Sequence, residues 1–253
     1  FRVGMATTIN FKIGSKTWVN ETRMTTLSPF ALQKLLRQMV KARCQFVVIE
    51  TSSHAIYQSR VWGIPYEVAV LTNVTAEHLD YHKTLAEYLE VKMRLFRDAK
   101  VSIINLDDKS AGQFIDASPG KIYTYGLQTK PDISGRKLFL ESQGTLFTVI
   151  TPVGQTAINL KLPGKFNVAN ALASVAVGSY LKIDLVLIKK ALEKVKLIPG
   201  RMEKVEMGQN FTVIIDYAVT PDSLSQIYET LDQSKHNKLI SVLGACGDRD
   251  RTK

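Results

Sequence analysis

Short apolar runs alternate with segments of helical periodicity over the first part of the chain. The runs are rich in Val and Ile and do not alternate with polar residues, a pattern that predicts strands buried on both faces. They are residues 45–50, 67–74 and 101–106. Helices are predicted at residues 28–42, 53–62 and 84–97, the first with Ser28 as cap and Pro29 in its first turn. The alternation predicts an α/β fold with a mostly parallel central sheet and flanking helices.

The pattern changes after residue 120. Residues 121–162 contain short strand-like runs separated by glycines, which predicts a small antiparallel meander. Helices are predicted at residues 167–181 and 184–195, and the IPGR run at residues 198–201 predicts a linker.

Beyond that linker a strand-helix-strand pattern restarts, at residues 211–218, 222–231 and 238–246. Two or three strands cannot bury both faces of a sheet. We therefore predict a central domain over residues 1–198 and a truncated Rossmann-like α/β domain over residues 199–253.

Composition narrows the class of protein. The chain has 253 residues, 45% of them apolar and 22% charged, which are globular values, and no apolar run approaches the roughly 20 residues of a transmembrane helix. Its two cysteines, Cys44 and Cys246, fit a reducing compartment. We expect a cytoplasmic monomer without a membrane partner.

The net charge of +10 invites a nucleic-acid interpretation, but the basic residues are spread out and form no dense block with aromatics. An anionic small substrate, such as a nucleotide or a sugar diphosphate, explains the charge better.

Lys92 lies in the middle of the apolar stripe of the predicted helix 84–97, with Leu85, Leu89 and Phe96. Partial desolvation there lowers the pKa of a lysine and favours its neutral amine. A neutral amine can react with carbon dioxide to form a carbamate, an oxygen ligand suited to magnesium. A lysine that only covers apolar surface fits the same position, and periodicity does not choose between the two.

Glu50 and His78 come just past the ends of two predicted parallel strands, where open α/β sheets bind their ligands. Such oxygen and nitrogen ligands suit Mg²⁺ or Mn²⁺ bridging nucleotide phosphates, and zinc is disfavoured because neither cysteine is near in sequence. His78 can equally cap a helix or satisfy a buried carbonyl. Asp80 and His82, in the same run, are predicted to be structural members of a turn.

Polar groups suited to an anionic ligand flank two of the predicted helices. Thr25 and Thr26 open the loop before the first helix and can hold an anion or a sugar hydroxyl, or serve as a cap. Arg60, on the same segment as Ser52 and Gln58, can pair with a phosphate.

The GSKT run at residues 14–17 only imitates a phosphate loop. Ser15 and Asn10 occupy the positions that need glycine, so we predict a turn between two strands there.

Taken together, these motifs resemble the Mur ligase family, the ATP-dependent enzymes that build the peptide of bacterial peptidoglycan. The resemblance is strongest to its MurE type, which adds the third amino acid to UDP-N-acetylmuramoyl-L-alanyl-D-glutamate. The matching runs follow the family order over nearly the whole chain. They are Thr25-Thr26, residues 50–60, residues 72–82, Lys92, residues 164–170, residues 199–203, residues 216–222 and residues 247–250.

The resemblance implies ATP and Mg²⁺ as cofactors, with an acyl phosphate that the amine of the incoming amino acid, diaminopimelate or lysine, converts to an amide. The implied contacts to the UDP-muramoyl dipeptide are Thr25, Thr26, Ser52, Gln58 and Arg60. The implied metal set is Glu50, His78 and a carbamylated Lys92. The implied nucleotide contacts are Asn167, Arg201 and Asp216, with Asn170 and Tyr217 as further candidates.

Three departures from the family pattern matter. The Gly-x-x-Gly-Lys-Thr loop and the N-terminal uridine-binding domain are absent, the last domain stops early, and Val219 stands where the MurE type has histidine. We therefore expect a ligase fragment that is inactive by itself. Two alternatives stay open, a non-catalytic relative that binds a nucleotide sugar and a ligase similar to folylpolyglutamate synthetase.

Overall fold

The first part of the chain forms a four-stranded sheet. The computed structural model describes residues 1–75, 79–128, 130–141, 143–232 and 238–244, and only the backbone at residues 79 and 80. The strands of this first sheet are β1 (Val3–Ala6), β2 (Asn10–Ile13), β3 (Lys16–Val19) and β4 (Phe46–Ile49), in the order β3-β2-β1-β4. β1 is parallel to β4 and antiparallel to β2. The GSKT run joins β2 to β3, which confirms the predicted turn.

Helix α1 (Pro29–Lys41) packs its apolar stripe on the first sheet. Gly4 of β1 makes room for this helix, because a Cβ at this position would lie 2.5 Å from the sulfur of Met39 and would force that side chain to shift. The predicted helix is confirmed to within a residue at each end. The predicted cap is wrong in one respect, since the Ser28 side chain makes no capping hydrogen bond.

A six-stranded sheet forms the larger core. Its strands are β5 (Val68–Leu71), β6 (Val101–Asn105), β7 (Lys121–Gly126), β8 (Ile133–Glu141), β9 (Gly144–Thr151) and β10 (Gly154–Leu160), in sequential spatial order. Strands β5 to β8 are parallel, and β8 to β10 are antiparallel. The predicted meander is therefore confirmed for β8 to β10 and wrong for β7, which extends the parallel part.

Six further helices are described in this part of the chain, and the longer ones pack on the six-stranded sheet. They are α2 (Ser53–Tyr57), α3 (Leu79–His82), α4 (Leu85–Asp98), α5 (Ala111–Asp116), α6 (Lys165–Tyr180) and α7 (Leu185–Glu193). The helix predicted over residues 53–62 ends at Tyr57, because Ser59 adopts a left-handed conformation (φ 53°) that an α-helix cannot continue. α6 is apolar on nearly all sides and is buried against β7 to β9.

The prediction that residues 45–50 form a fully buried strand is wrong. Val47 and Val48 of β4 are 38% and 56% exposed. Within the described ranges β4 pairs only with β1, and β5 pairs only with β6, so each has one open edge.

The end of the described chain holds two short antiparallel strands, β11 (Glu203–Val205) and β12 (Val213–Ile215), and helix α8 (Pro221–Asp232). The strand predicted at residues 238–246 is absent from its described part, residues 238–244, where Val242 is 94% exposed and no described strand lies alongside. The whole is a mixed α/β fold with a parallel-rich sheet and a small antiparallel sheet, which confirms the predicted class.

Candidate functional site

Loops from the carboxyl ends of β1 and β4 meet at one place, because the two strands are parallel neighbours. Thr26 lies in the loop between β3 and α1 and is buried against the segment that follows β4. Its hydroxyl donates to the backbone carbonyl of Glu50 (2.9 Å) and accepts the backbone N–H of Ser52 (3.1 Å). The Arg60 guanidinium donates to the backbone carbonyl of Thr26 (3.1 Å). Four of the residues predicted from the sequence are thus joined directly.

The Glu50 side chain is exposed at the end of β4 and is held from β1. The backbone N–H of Thr8 donates to Glu50 Oε2 (2.7 Å), and the Thr8 hydroxyl donates to Thr25 Oγ1 (3.1 Å). Sequence analysis missed Thr8 because it also missed β1, the strand that ends two residues before it.

Arg60 is further oriented by Gln58. Its Nε donates to Gln58 Oε1 (2.8 Å), and Nη2 donates to the same oxygen. Gln58 Nε2 in turn donates to the hydroxyl of Tyr81 on α3 (2.9 Å), another residue that sequence analysis did not single out. The guanidinium is therefore fixed before any ligand arrives, which suits recognition of a carboxylate or phosphate.

Ser52 has a structural use as well. It caps α2, and its Oγ accepts the backbone N–H of Ala55 (3.2 Å).

Lys92 lies on α4 and is half-buried, as its place in the apolar stripe predicted. Its Nζ stands 5.2 Å from the centre of the Tyr88 ring one turn earlier, a cation–π distance. Leu85, predicted in the same stripe, is 44% exposed at the first turn of the helix. Carbamylation of Lys92 remains a prediction.

His82 is fully buried, with Nε2 3.0 Å from the hydroxyl of Ser53 and its ring against that of Tyr88. This agrees with the prediction that it is a structural member of the turn. It ties α3 to the first turn of α2.

The predicted metal set is described in part. His78 lies outside the described residues, as does the side chain of Asp80. Over the described ranges, no group of three or more His, Cys, Asp or Glu residues is close enough to hold a metal ion. The chemistry of the donors still fits a hard cation, because Glu50 offers an exposed carboxylate whose Oε1 has no hydrogen bond to the described residues.

The predicted nucleotide contacts separate into two places. Asn167 is buried at the start of α6, where its Nδ2 donates to the carbonyl of Pro163 (2.8 Å). The Arg201 guanidinium lies 5.7 Å from the Tyr217 ring, and the neighbouring Asp216 carboxylate accepts the backbone N–H groups of residues 202 and 218 (2.7 Å each). No hydrogen bond or ring contact joins Asn167 to the second group in the described part of the chain. Asn170 and Val219 are exposed.

Three side chains that sequence analysis missed hold the loop after β5. The Tyr125 hydroxyl donates to the carbonyl of Leu71 (2.8 Å), Asn105 Nδ2 donates to that of Thr72 (2.8 Å), and Asp108 Oδ2 accepts the N–H of Val74 (2.6 Å). Burial, with smaller contributions from Asp108 and Asp107, raises the pKa of the Tyr125 hydroxyl, which therefore stays protonated as a donor. The NLDD run at residues 105–108, at the end of a predicted strand, was the available signal.

Polar and cationic side chains gathered where the parallel strands β1 and β4 end are the arrangement by which open α/β proteins bind their ligands, and this defines the class of the protein. The Mur ligase middle domain matches residues 2–178, and the Mur ligase glutamate ligase domain matches residues 200–253. The chain belongs to the Mur ligase family.

Relatives of known name agree with this assignment. The UDP-N-acetylmuramoyl-L-alanyl-D-glutamate--2,6-diaminopimelate ligase of Bacillus cereus is 40% identical over all of this chain and 53% of its own length. The UDP-N-acetylmuramyl-tripeptide synthetase of a Roseiflexus species is 37% identical over 99% of this chain and 52% of its own. The chain thus spans about half the length of the curated relatives it matches.

Solved structures give the same result. A UDP-N-acetylmuramoyl-L-alanyl-D-glutamate--2,6-diaminopimelate ligase superposes with a TM-score of 0.79 at 34% identity, over 99% of this chain and 52% of that one. The folylpolyglutamate synthase of Mycobacterium tuberculosis, complexed with ADP, shares the fold with a TM-score of 0.73 at 18% identity, over 91% of this chain and 59% of that one. Among the described helices, none is long and apolar enough to cross a membrane.

Proposed function

We propose that this chain belongs to an ATP-dependent ligase that adds the third amino acid to UDP-N-acetylmuramoyl-L-alanyl-D-glutamate. Residues 1–198 would form its central domain and residues 199–253 the beginning of the next, a division that the two family matches support. The enzyme is proposed to be a cytoplasmic monomer without nucleic-acid or membrane partners. Its incoming amino acid is diaminopimelate, the substrate named for the relative from Bacillus cereus, or lysine.

One observation carries the proposal. The buried Thr26 hydroxyl bonds to the backbone of Glu50 and Ser52, directly after β4, and its carbonyl accepts from the Arg60 guanidinium, so that a hydroxyl, a fixed cation and the exposed Glu50 carboxylate belong to one bonded cluster at a strand end. In the proposal, Thr25, Thr26, Ser52, Gln58 and Arg60 form the binding site for the UDP-muramoyl dipeptide.

The proposed reaction has two steps. A carboxylate oxygen of the D-glutamyl residue attacks the γ-phosphorus of ATP, and ADP leaves, giving an acyl phosphate. The amine of the amino acid then attacks the acyl carbon, phosphate leaves, and the amine loses a proton.

The remaining residues are assigned to the nucleotide and the metal. Glu50, His78 and a carbamylated Lys92 would hold Mg²⁺, which supplies positive charge beside the phosphates. Asn167, Arg201 and Asp216 would contact the nucleotide.

The proposal is tested with the complete gene product, by measuring phosphate release and the mass of the ligated product with the dipeptide, ATP and either amino acid. Arg60→Lys removes the planar guanidinium and its contacts with Gln58 and Thr26, so we expect KM for the dipeptide to rise by about tenfold or more. Arg37→Lys on the exposed face of α1 is the matched control and should behave as the parent protein.

The outcomes separate the alternatives. Absence of ligation with tight dipeptide binding would contradict the enzyme and favour the non-catalytic binder. Phosphate release with a folate and glutamate, and none with the dipeptide, would favour the folylpolyglutamate-type ligase.

A further inference from the structure

Thr8, just after β1, bridges two proposed subsites, one at the end of β4 and one in the loop before α1. Its backbone N–H donates to Glu50 Oε2 (2.7 Å), and its hydroxyl donates to Thr25 Oγ1 (3.1 Å). Glu50 belongs to the proposed metal set and Thr25 to the proposed dipeptide site. Neither the resemblance nor the sequence motifs assigned a role to Thr8.

The direction of the second bond determines what Thr25 can offer a ligand. A hydroxyl has one hydrogen to donate and two lone pairs that accept. Because Thr25 Oγ1 accepts from Thr8, its own hydrogen remains available to point away from Thr8. Thr25 then presents a donor, which suits an oxygen acceptor such as a carboxylate, a phosphate or a sugar oxygen.

The loop that carries Thr25 is fixed independently of Thr8. Asn20 is buried, and its Nδ2 donates to the carbonyls of Thr7 (2.8 Å) and Met24 (2.9 Å). Loss of the Thr8 hydroxyl would therefore leave the loop in place and change only the orientation of the Thr25 hydroxyl.

We infer that Thr8 is a positioning residue, which turns the Thr25 hydroxyl toward an oxygen acceptor of the substrate while its backbone holds the Glu50 carboxylate. This inference rests on the proposed function. The two hydrogen bonds of Thr8 can be separated experimentally, since a side-chain substitution removes the bond to Thr25 and leaves the backbone bond to Glu50.

The test compares Thr8→Val with Thr8→Ser in the complete gene product. Titration calorimetry with UDP-N-acetylmuramoyl-L-alanyl-D-glutamate, without ATP or Mg²⁺, gives Kd directly. Thr8→Val should raise Kd by about threefold to tenfold, as expected for the loss of one hydrogen bond, and Thr8→Ser should recover most of the affinity. In the ligation assay KM for the dipeptide should rise more than kcat falls.

Two controls make the result specific. The Mg²⁺ concentration for half-maximal activity should stay within about twofold in Thr8→Val, since the N–H to Glu50 remains. Thr17→Val, a matched substitution on the exposed strand β3, should leave Kd unchanged.

The outcomes distinguish the inference from the proposed function. If the parent protein does not bind the dipeptide, the proposed function fails. If the parent protein binds it and Thr8→Val binds equally well, only the role of Thr8 is overturned. A loss of affinity in Thr8→Val that Thr8→Ser does not recover would also overturn it.

Discussion

Thr26 has a structural role in addition to its proposed role in binding the substrate. Thr26 is 2% exposed. Its hydroxyl donates a hydrogen bond to the carbonyl of Glu50 and accepts one from the N–H of Ser52. The side chain therefore fixes the turn that follows β4, and with it the Glu50 carboxylate and the capping Ser52. A merely solvent-facing threonine at a helix start would have no such consequence.

We predict that Thr26→Val lowers the free energy of unfolding by about 1 kcal/mol, because it leaves a part-buried carbonyl and N–H without their partner. Thr26→Ser keeps the hydroxyl and should retain most of the stability. Urea denaturation of both variants measures the difference, and equal stability of Val and Ser variants would show that the two bonds contribute nothing.

At the scale of elements, α7 protects the open edge of β10. Its Glu193 carboxylate accepts the backbone N–H of Asn159 (2.9 Å), and Lys189 Nζ donates to the carbonyl of Ala157 and pairs with Glu193 (2.7 Å). These backbone groups would otherwise be available to another strand. The N–H of Asn159, and then Lys189, lowers the pKa of the Glu193 carboxyl below its ordinary value.

A lowered folded-state pKa means that ionised Glu193 stabilises the fold above its unfolded pKa, and that this contribution is lost as the pH falls through the folded value. We predict that Glu193→Gln lowers the free energy of unfolding by about 0.2–1 kcal/mol at neutral pH, the range of partly exposed ion pairs. The difference from the parent protein should disappear in acid. Thermal unfolding of both proteins between pH 7 and about pH 3 checks this, and a difference that persists in acid would refute it.

The elements that could be predicted from the sequence are those in which apolar residues recur with a clear helical period. α1 and α4 each repeat an apolar stripe over three turns or more, and their bounds were predicted to within a residue. β1 was missed because four residues without alternation carry little signal, and Thr8 was missed with it. The bond from Thr8 to Glu50 spans 42 residues, and no local pattern encodes such a contact. Glu50 itself could be found, since the end of a Val- and Ile-rich run marks a strand end.

In the molecule as a whole, some edge strands are protected against pairing with another strand and others are not. In the six-stranded sheet, β10 is covered by α7. In the four-stranded sheet, the edge strand β3 carries Lys16, a charge that discourages strand pairing. β4 has neither protection among the described residues, and it exposes Val47 and Val48. An open, apolar edge of this kind is a template for pairing with another strand, and the relatives, about twice as long, have further chain that this sequence does not include.

We predict that the 253-residue chain by itself associates as its concentration rises, through the edge of β4. Val48→Lys places a charge on β4 and should weaken the association by about tenfold or more. Pairing of another strand with β4 would remove part of that charge from water, which costs free energy. Val40→Lys on the exposed face of α1 is the matched control, since its valine is 64% exposed on a helix and offers no backbone edge. Sedimentation velocity over a range of concentrations measures the effect. If Val40→Lys weakens the association as much as Val48→Lys does, the association comes from exposed apolar surface in general and not from the β4 edge. If the chain is a monomer at every concentration, the β4 edge is protected in solution.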